Sequence, residues 1–383
     1  MVSATARLVF SIRTAANTFN NRNSSFNLFF LVHDCRRFSI DYSKSRTQTP
    51  LQKQFENWTD RLRPGFTAED VVNALRSQSD PDLALDIFRW TSQQCRHNYR
   101  HSSMVYHTML QISISQHRHS HAEALIDEIL SGASSDIPSL PLLNTIVHFC
   151  CSRRNLFSRA FDVFNHMRRL GGSCKPSMET YSMLIGALVR RFDRSSVGFV
   201  YMHSVRSLVR QMKSSGVIPD TFLMNLIIKA HSRCLEMDAA IRVYKEMGLY
   251  GCEPNEYTYG YLSKGMCEKG RIEEGMQYFR KMRELGFVPT ASVYMTVTNS
   301  LSLRCRFQEA VEIVTDMIEN SMSPDLLTNR TLLEGLCREG REEDAFVLLE
   351  ELRKKKVLDE KTYYRLFDGL KCVCRPHHDG GSE

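Results

Sequence analysis

Through the second half of the chain, apolar residues recur three and four positions apart, and each apolar run is closed by glycine or proline. Residues 256–290 show the pattern most plainly. They predict a first helix over about Thr258–Cys267, broken by Gly270, and a second from about Ile272 to Leu285. The second helix carries Met276, Phe279 and Met282 on one stripe and stops at Gly286 and Pro289. The stretch Met266–Met282 (MCEKGRIEEGMQYFRKM) is echoed by Leu336–Leu352 (LCREGREEDAFVLLEEL), seventy residues on.

Three columns of residues fix the period at half that distance. Pro219, Pro254, Pro289 and Pro324 stand 35 apart, preceded by Pro138 and Pro176 at spacings of 38 and 43. Met212, Met247, Met282 and Met317 keep the same interval, as do Ala240, Gly275, Ala310 and Ala345. Neither helix of a pair can bury its stripe alone. Stacked pairs bury the stripes against their neighbours, which predicts a superhelix with a concave face and assigns the Met, Phe and Leu stripes to its core. The units are 65–102, 103–139, 140–177, 178–220, 221–255, 256–290, 291–325 and 326–360, with a half repeat over 361–370 and a disordered tail over 371–383. The long fourth unit holds an insert near Phe192–Met202, between its helices.

A 35-residue helix pair with a Tyr-x-x-Leu-Ile opening and a Gly-Arg-x-x-Glu-Ala middle resembles the pentatricopeptide repeat family. The residues that carry the likeness are Thr180–Ile185, Glu268–Gly275 and Arg338–Ala345. The tetratricopeptide repeat, with a period of 34, lacks its Trp-x-x-Leu-Gly opening here. The resemblance covers residues 65–370 and implies an all-α fold, a right-handed superhelical solenoid of 35-residue helix-turn-helix repeats. The absence of long or short unit variants resembles the pure, P-type class of plant organellar members.

Composition refines this picture. Hydrophobic content of 42% and charged content of 24% fit a folded soluble chain. No stretch reaches the roughly 20 apolar residues of a membrane helix. The twelve cysteines lack zinc-site or disulfide-framework spacing and suggest a reducing compartment. Residues 1–33 hold no Asp or Glu but do hold Arg7, Arg13 and Arg22, and Arg36-Arg37-Phe38-Ser39 resembles a mitochondrial processing site. Residues 1–38 are therefore read as a mitochondrial transit peptide and 39–64 as a linker, with the matrix as the expected compartment and the plastid as the alternative. Removing residues 1–38 takes five Arg and one Asp, and the formal charge falls from +7 to +3. Any nucleic-acid binding must then come from local placement of charge.

In the resembled family each repeat faces one base of single-stranded RNA, read by the fifth residue of the first helix and the last residue of the unit. That implies three legible pairs: Asn144/Ser177 for cytosine, Ser182/Asp220 for guanine and Asn225/Asn255 for a pyrimidine. Glu69/Ser102, His107/Ser139, Gly260/Thr290, Met295/Asp325 and Arg330/Glu360 depart from the pattern. At the second position Phe222 and Tyr257 are the candidate stacking platforms, with Met104 and Leu327 as further apolar contacts, whereas Glu69 and Glu179 are ill-suited. Arg190, Arg233 and Arg338 at the thirteenth position, and Lys269 and Arg304 one residue later, are the candidate phosphate ligands. No catalytic, metal or cofactor site is expected; the tail residues Cys372, Cys374, His377 and His378 are too sparse to count as one. The implied function is a sequence-selective single-stranded RNA adaptor that acts on mitochondrial transcripts by occupancy, through processing, stability, splicing or translation. The alternatives are a structural RNA- or protein-binding component of the mitochondrial ribosome, or a protein scaffold.

Overall fold

The computed structural model describes residues 56–58, 62, 65–94, 100–192 and 198–373. The expected transit segment, nearly all of the linker and the tail from residue 374 lie outside the described residues. Among the described residues every regular element is helical. The chain divides into two compact units, residues 1–184 and 185–383. The first holds α1 (Ala68–Arg76), α2 (Pro81–Gln94), α3 (Ser103–Ser115), α4 (His119–Leu130), α5 (Leu140–Ser152), α6 (Phe157–Leu170) and the opening of α7 (Met178–Phe192). The second holds the rest of α7, then α8 (Gly198–Ser214), α9 (Thr221–Arg233), α10 (Met237–Met247), α11 (Glu256–Glu268) and α12 (Ile272–Glu284). It continues with α13 (Ala291–Ser302), α14 (Phe307–Glu319), α15 (Leu326–Arg338), α16 (Glu342–Lys354) and α17 (Glu360–Val373).

Odd-numbered helices are the first of each pair. Within the first unit α1 packs on α3 and α3 on α5; within the second α9, α11, α13, α15 and α17 pack in succession. Second helices also pack on their own first helices, as α12 does on α11 and α14 on α13. The layers meet over buried stripes, and Met212, Met247, Met282 and Met317 are each at most 1% exposed. Leu352 takes the same place in the last pair.

The turns explain why the period holds. After α11 the Gly270 N–H donates to the Cys267 carbonyl (3.0 Å) and the Arg271 N–H to the Met266 carbonyl (2.9 Å). This pairing caps a helix whose next residue turns left-handed, and Gly270 has φ +84°. The second helices end the same way. The Phe287 N–H reaches the Met282 carbonyl and the Met322 N–H the Met317 carbonyl, both at 3.1 Å. The methionine column thus marks residues that pack the core with their side chains and close the helix with their carbonyls. Gly286 supplies the left-handed residue after α12, but Ser321 (φ +60°) supplies it after α14 and Lys356 (φ +54°) after α16.

The small-residue column has a separate cause. A Cβ at Gly275 would come within 2.5 Å of Cys267 Sγ and 3.1 Å of the Ser263 carbonyl oxygen. Ala240, Ala310 and Ala345 stand fully buried at the same crossing in their own pairs. The outer rim is laced by ion pairs at the start of the second helices. Arg271 bonds Glu274 on its own helix and Asp238 on α10 (2.7 Å). Arg306 repeats the arrangement with Glu309 and Glu273. Arg341 bonds Asp344 (2.6 Å), and Gln308 stands where the preceding helix would offer a carboxylate.

Three boundaries differ from the sequence reading. Helix α1 begins at Ala68, capped by Thr67, so the first unit starts three residues later than 65 and Glu69 stands at the second helical position, not the fifth. Helix α17 begins at Glu360, one residue early, and runs to Val373, three residues into the expected tail. Tyr363 is therefore the buried aromatic and Tyr364 the exposed one. Helix α8 starts at Gly198, so residues 198–202 of the expected insert form its first turn.

A side chain in the left-handed region costs roughly 1–2 kcal/mol, which glycine avoids. Gly286→Ala is expected to lower stability by about 1 kcal/mol, since open space surrounds its Cβ direction and only the backbone objects. Ser321→Gly is expected to raise stability by about 0.5–1 kcal/mol. Urea titration of both variants checks the pair. Equal midpoints for the two would refute the account of the turns.

Candidate nucleic-acid interface

On each first helix the second, fifth, ninth and thirteenth residues share a face, because their spacings are three and four. On α9 these are Phe222, Asn225, Lys229 and Arg233; on α11 they are Tyr257, Gly260, Lys264 and Glu268. On α15 they are Leu327, Arg330, Glu334 and Arg338. The third and fourth residues turn into the core, as Thr258 and Tyr259 do. The second residue is left outside: Phe222 is 62% exposed and Tyr257 51%. Leu327, and Met104 in the first unit, are exposed in the same position.

The fifth-position asparagines behave differently. Asn225 and Asn144 are only 6% and 7% exposed. Asn225 Nδ2 donates to Asn255 Oδ1 (2.9 Å), so this expected pair is in direct contact. Asn225 Oδ1 accepts from the Thr258 hydroxyl (2.6 Å), and that hydroxyl accepts from the Asn255 backbone N–H (3.0 Å). Asn255 Oδ1 also caps α11 through the N–H groups of Tyr257 and Thr258.

The first unit repeats the device with one change. Thr180 donates to Asn144 Oδ1 (2.7 Å) and accepts from the Ser177 N–H (3.1 Å). Asn144 Nδ2, however, turns to Glu179 Oε2 (2.9 Å), while Ser177 Oγ stays beside Thr180 (3.2 Å). Asn144 and Ser177 are therefore joined through Thr180. The Ser182 hydroxyl bonds back to the Met178 carbonyl (3.0 Å) along its own helix. Asp220 Oδ1 caps α9 by accepting from the Leu223 N–H (2.8 Å).

Between α9, α11 and α13 lies a cavity of about 400 Å³. Tyr257 and Tyr261 line it, their centroids 6.4 Å apart and their planes tilted by 38°. Lys229, Arg233 and Lys264 contribute cations to the same walls, and Glu256 and Glu268 contribute carboxylates. Lys229 Nζ lies 5.3 Å from the Tyr261 ring centroid. Lys264 donates to Ser292 Oγ (2.6 Å) and sits 3.8 Å from Glu268. Gly260 and Val293 are also part of the lining. Burial pushes the Tyr261 hydroxyl above its ordinary range and Tyr257 adds to this, while the Arg233 charge opposes it.

Of the expected phosphate ligands, the structure brings only Arg233 together with Tyr257 and this cavity. Arg190 is exposed near the end of α7, its guanidinium 3.6 Å from the Cβ direction of Gly186. Lys269 caps α11 and lies close enough to Asp238 on α10 to lower that carboxylate's pKa, behind Arg271. Arg304 lies by the neighbouring turn, 3.6 Å from the Cβ direction of Gly270. One residue of displacement rotates a side chain by about 100°, which carries Lys269 off the cavity face, and Arg304 lies past the end of α13. Arg338 pairs with Glu334 (3.2 Å), which Arg330 also bonds. The sequence reading missed Lys229, Lys264 and Tyr261. A search one helical turn beyond the fifth position would have found both lysines.

Comparison with known proteins agrees with the repeat reading. A model described as the PPR repeat family matches residues 219–268. Models described as the PPR repeat match residues 145–172, 257–287 and 320–353. A mitochondrial pentatricopeptide repeat-containing protein of Arabidopsis thaliana is 56% identical over 207 residues, 54% of this chain and 53% of that protein. A second mitochondrial protein of the same kind and organism is 33% identical over 257 residues, 66% of this chain and 57% of that protein. The chain thus spans about half the length of the curated relatives it matches. Among solved structures, the maize pentatricopeptide repeat protein PPR10 in complex with an 18-nt psaJ RNA element superposes with a TM-score of 0.52 at 21% identity. That alignment covers 84% of this chain and 44% of the other, and it concerns the fold.

At two junctions a threonine, Thr180 or Thr258, holds two polar partners at once. Thr258→Val is expected to cost about 2–3 kcal/mol, because the Asn225 carbonyl and the Asn255 N–H lose their partner in a site closed to water. Thr258→Ser should recover most of this. Chemical denaturation reads both, and a Val variant within 0.5 kcal/mol of the parent would overturn the network's role.

Proposed function

The chain belongs to the pentatricopeptide repeat family, and we propose that it is a non-catalytic, sequence-selective adaptor for single-stranded RNA, acting on mitochondrial transcripts in the matrix. On this reading it is a pure, P-type member with eight repeats over 65–360, and it alters transcript processing, stability, splicing or translation by occupancy. The observation that carries the reading is the face of α9 and α11. There Phe222 and Tyr257 are more than half exposed beside Lys229, Arg233 and Lys264. Single-stranded RNA matches both features, since its base faces stack on aromatic rings and its phosphates pair with cations. The complex of PPR10 with RNA and the mitochondrial assignment of the two relatives point the same way.

The base-reading pairs follow from what each has left to offer. Asn255 Oδ1 is committed inside the protein, so the Asn225/Asn255 pair turns N–H donors outward. Donors suit the O2 acceptor that both pyrimidines carry. Asp220 caps its helix with Oδ1, which leaves Oδ2 as the acceptor for a guanine N1–H and N2 amine. Asn144 with Ser177 reads the remaining position, a cytosine. Arg190, Lys269, Arg304 and Arg338 are further phosphate contacts on this reading, with Arg338 weakened by Glu334.

Binding of the purified chain to single-stranded RNA, followed by anisotropy against salt, tests the proposal. Arg233→Ala should weaken binding across sequences and reduce the log–log salt slope by about 0.7. Asn225→Ala should instead relax preference at one base, by roughly 5-fold or more. Equal affinity for duplex and single strands, with neither variant distinguishable from the parent, would end the RNA reading. Crosslinking in purified mitochondria then separates the roles. Short footprints on one or a few transcripts fit the adaptor, and footprints confined to ribosomal RNA fit a ribosomal component.

A further inference from the structure

The cavity between α9, α11 and α13 sits where the repeat pattern fails. Gly260 occupies the fifth position, filled by Asn225 one unit earlier and Met295 one unit later. With no side chain there, the floor of the cavity is the α11 backbone and Val293, whose Cγ2 lies 3.3 Å from the Cβ direction of Gly260. A Cβ there would press on Val293, and a long apolar side chain would take up part of the recess. From this geometry we infer that the Gly260 cavity is a recess for a single inserted base, which selects purine by size and stacking rather than by a side-chain pair. The inference rests on the RNA reading above.

The walls carry the argument further. Tyr257 and Tyr261, at 6.4 Å and 38°, are too close and too tilted to sandwich a base between them. Lys229 already lies over Tyr261. The exposed Tyr257 ring is therefore the stacking face, and Tyr261 with its ammonium partner forms the cationic wall. A volume of about 400 Å³ falls within the range of small-ligand pockets, so a base with part of its sugar fits. Arg233 and Lys264 are placed for the flanking phosphates. Glu256, in the first turn of α11, is an acceptor for an exocyclic amine, a donor that both purines carry. A pyrimidine would leave part of the recess empty and cover less of the ring.

Selection from a randomised single-stranded RNA pool tests this on the full chain, comparing the parent with Gly260→Leu and Tyr257→Ala. Helical content and thermal midpoint confirm that each variant folds. Tyr257 is exposed, so its truncation serves as the variant least able to disturb the core. The parent should enrich purine at one position. Gly260→Leu should lose that enrichment while keeping preferences at the other positions, and Tyr257→Ala should bind about 10-fold more weakly. A parent that binds RNA with no purine position, or a Gly260→Leu variant with an unchanged profile, overturns the recess and leaves the RNA reading standing. A parent that retains no RNA overturns both.

Discussion

From α9 to α16 every helix is closed by one residue in a left-handed turn, and the period depends on that closure. The turn lets two backbone N–H groups return to the last carbonyls of the helix, at Cys267 and Met266 after α11. It also fixes the direction in which the chain leaves. With the exit direction fixed, the next helix has to begin at a set distance, and the apolar stripe returns in register every 35 residues. The conformation is held even where glycine is absent, at Leu235, Cys305, Ser321 and Lys356. Packing of the paired stripes therefore outweighs a local penalty of about 1–2 kcal/mol at each of these sites.

A second constraint acts at the junction between units. The last residue of one unit is the N-cap of the next, so Asn255 and Asp220 hold their helices with one atom and present another outward. At two junctions a threonine at the third position, Thr180 or Thr258, ties the cap residue, Ser177 or Asn255, to the fifth-position asparagine of the unit before. The asparagines are thereby locked in one orientation before any ligand arrives. Preorganised polar groups lose little freedom on binding, which favours discrimination at the base edge. The same locking explains their near-complete burial.

The period was legible because prolines, methionines and small residues each repeat for a separate physical reason, namely chain exit, helix closure and helix crossing. The all-helical fold of paired helices followed from it. The site was less legible. Arg233 and Tyr257 meet, but Lys269 and Arg304 do not join them, because a one-residue offset turns Lys269 to another face and Arg304 lies past the end of α13. Arg338 kept its place but is ion-paired with Glu334, a partner four residues back that a column of cations does not reveal. Lys229, Lys264 and Tyr261 escaped because a code built on two positions per repeat looks past the rest of the same face. The half repeat slipped by one residue where Asp359 replaces the proline ruler.

The inner face of the second unit is not uniform, and its gradient bears on how a strand would engage it. On α9 and α11 aromatic rings stand beside three cations, two of which, Lys229 and Arg233, share a helix with no acidic residue. On α15 the corresponding row is Leu327, Arg330, Glu334 and Arg338, in which Glu334 bonds both arginines. A carboxylate between two guanidiniums lowers the local positive potential and holds both side chains along the helix. A phosphate arriving at α15 would have to displace that carboxylate, whereas one arriving at α9 meets cations with an aromatic platform alongside. The strongest hold on a strand is therefore expected at α9 and α11, and the weaker contacts at α15 follow from it.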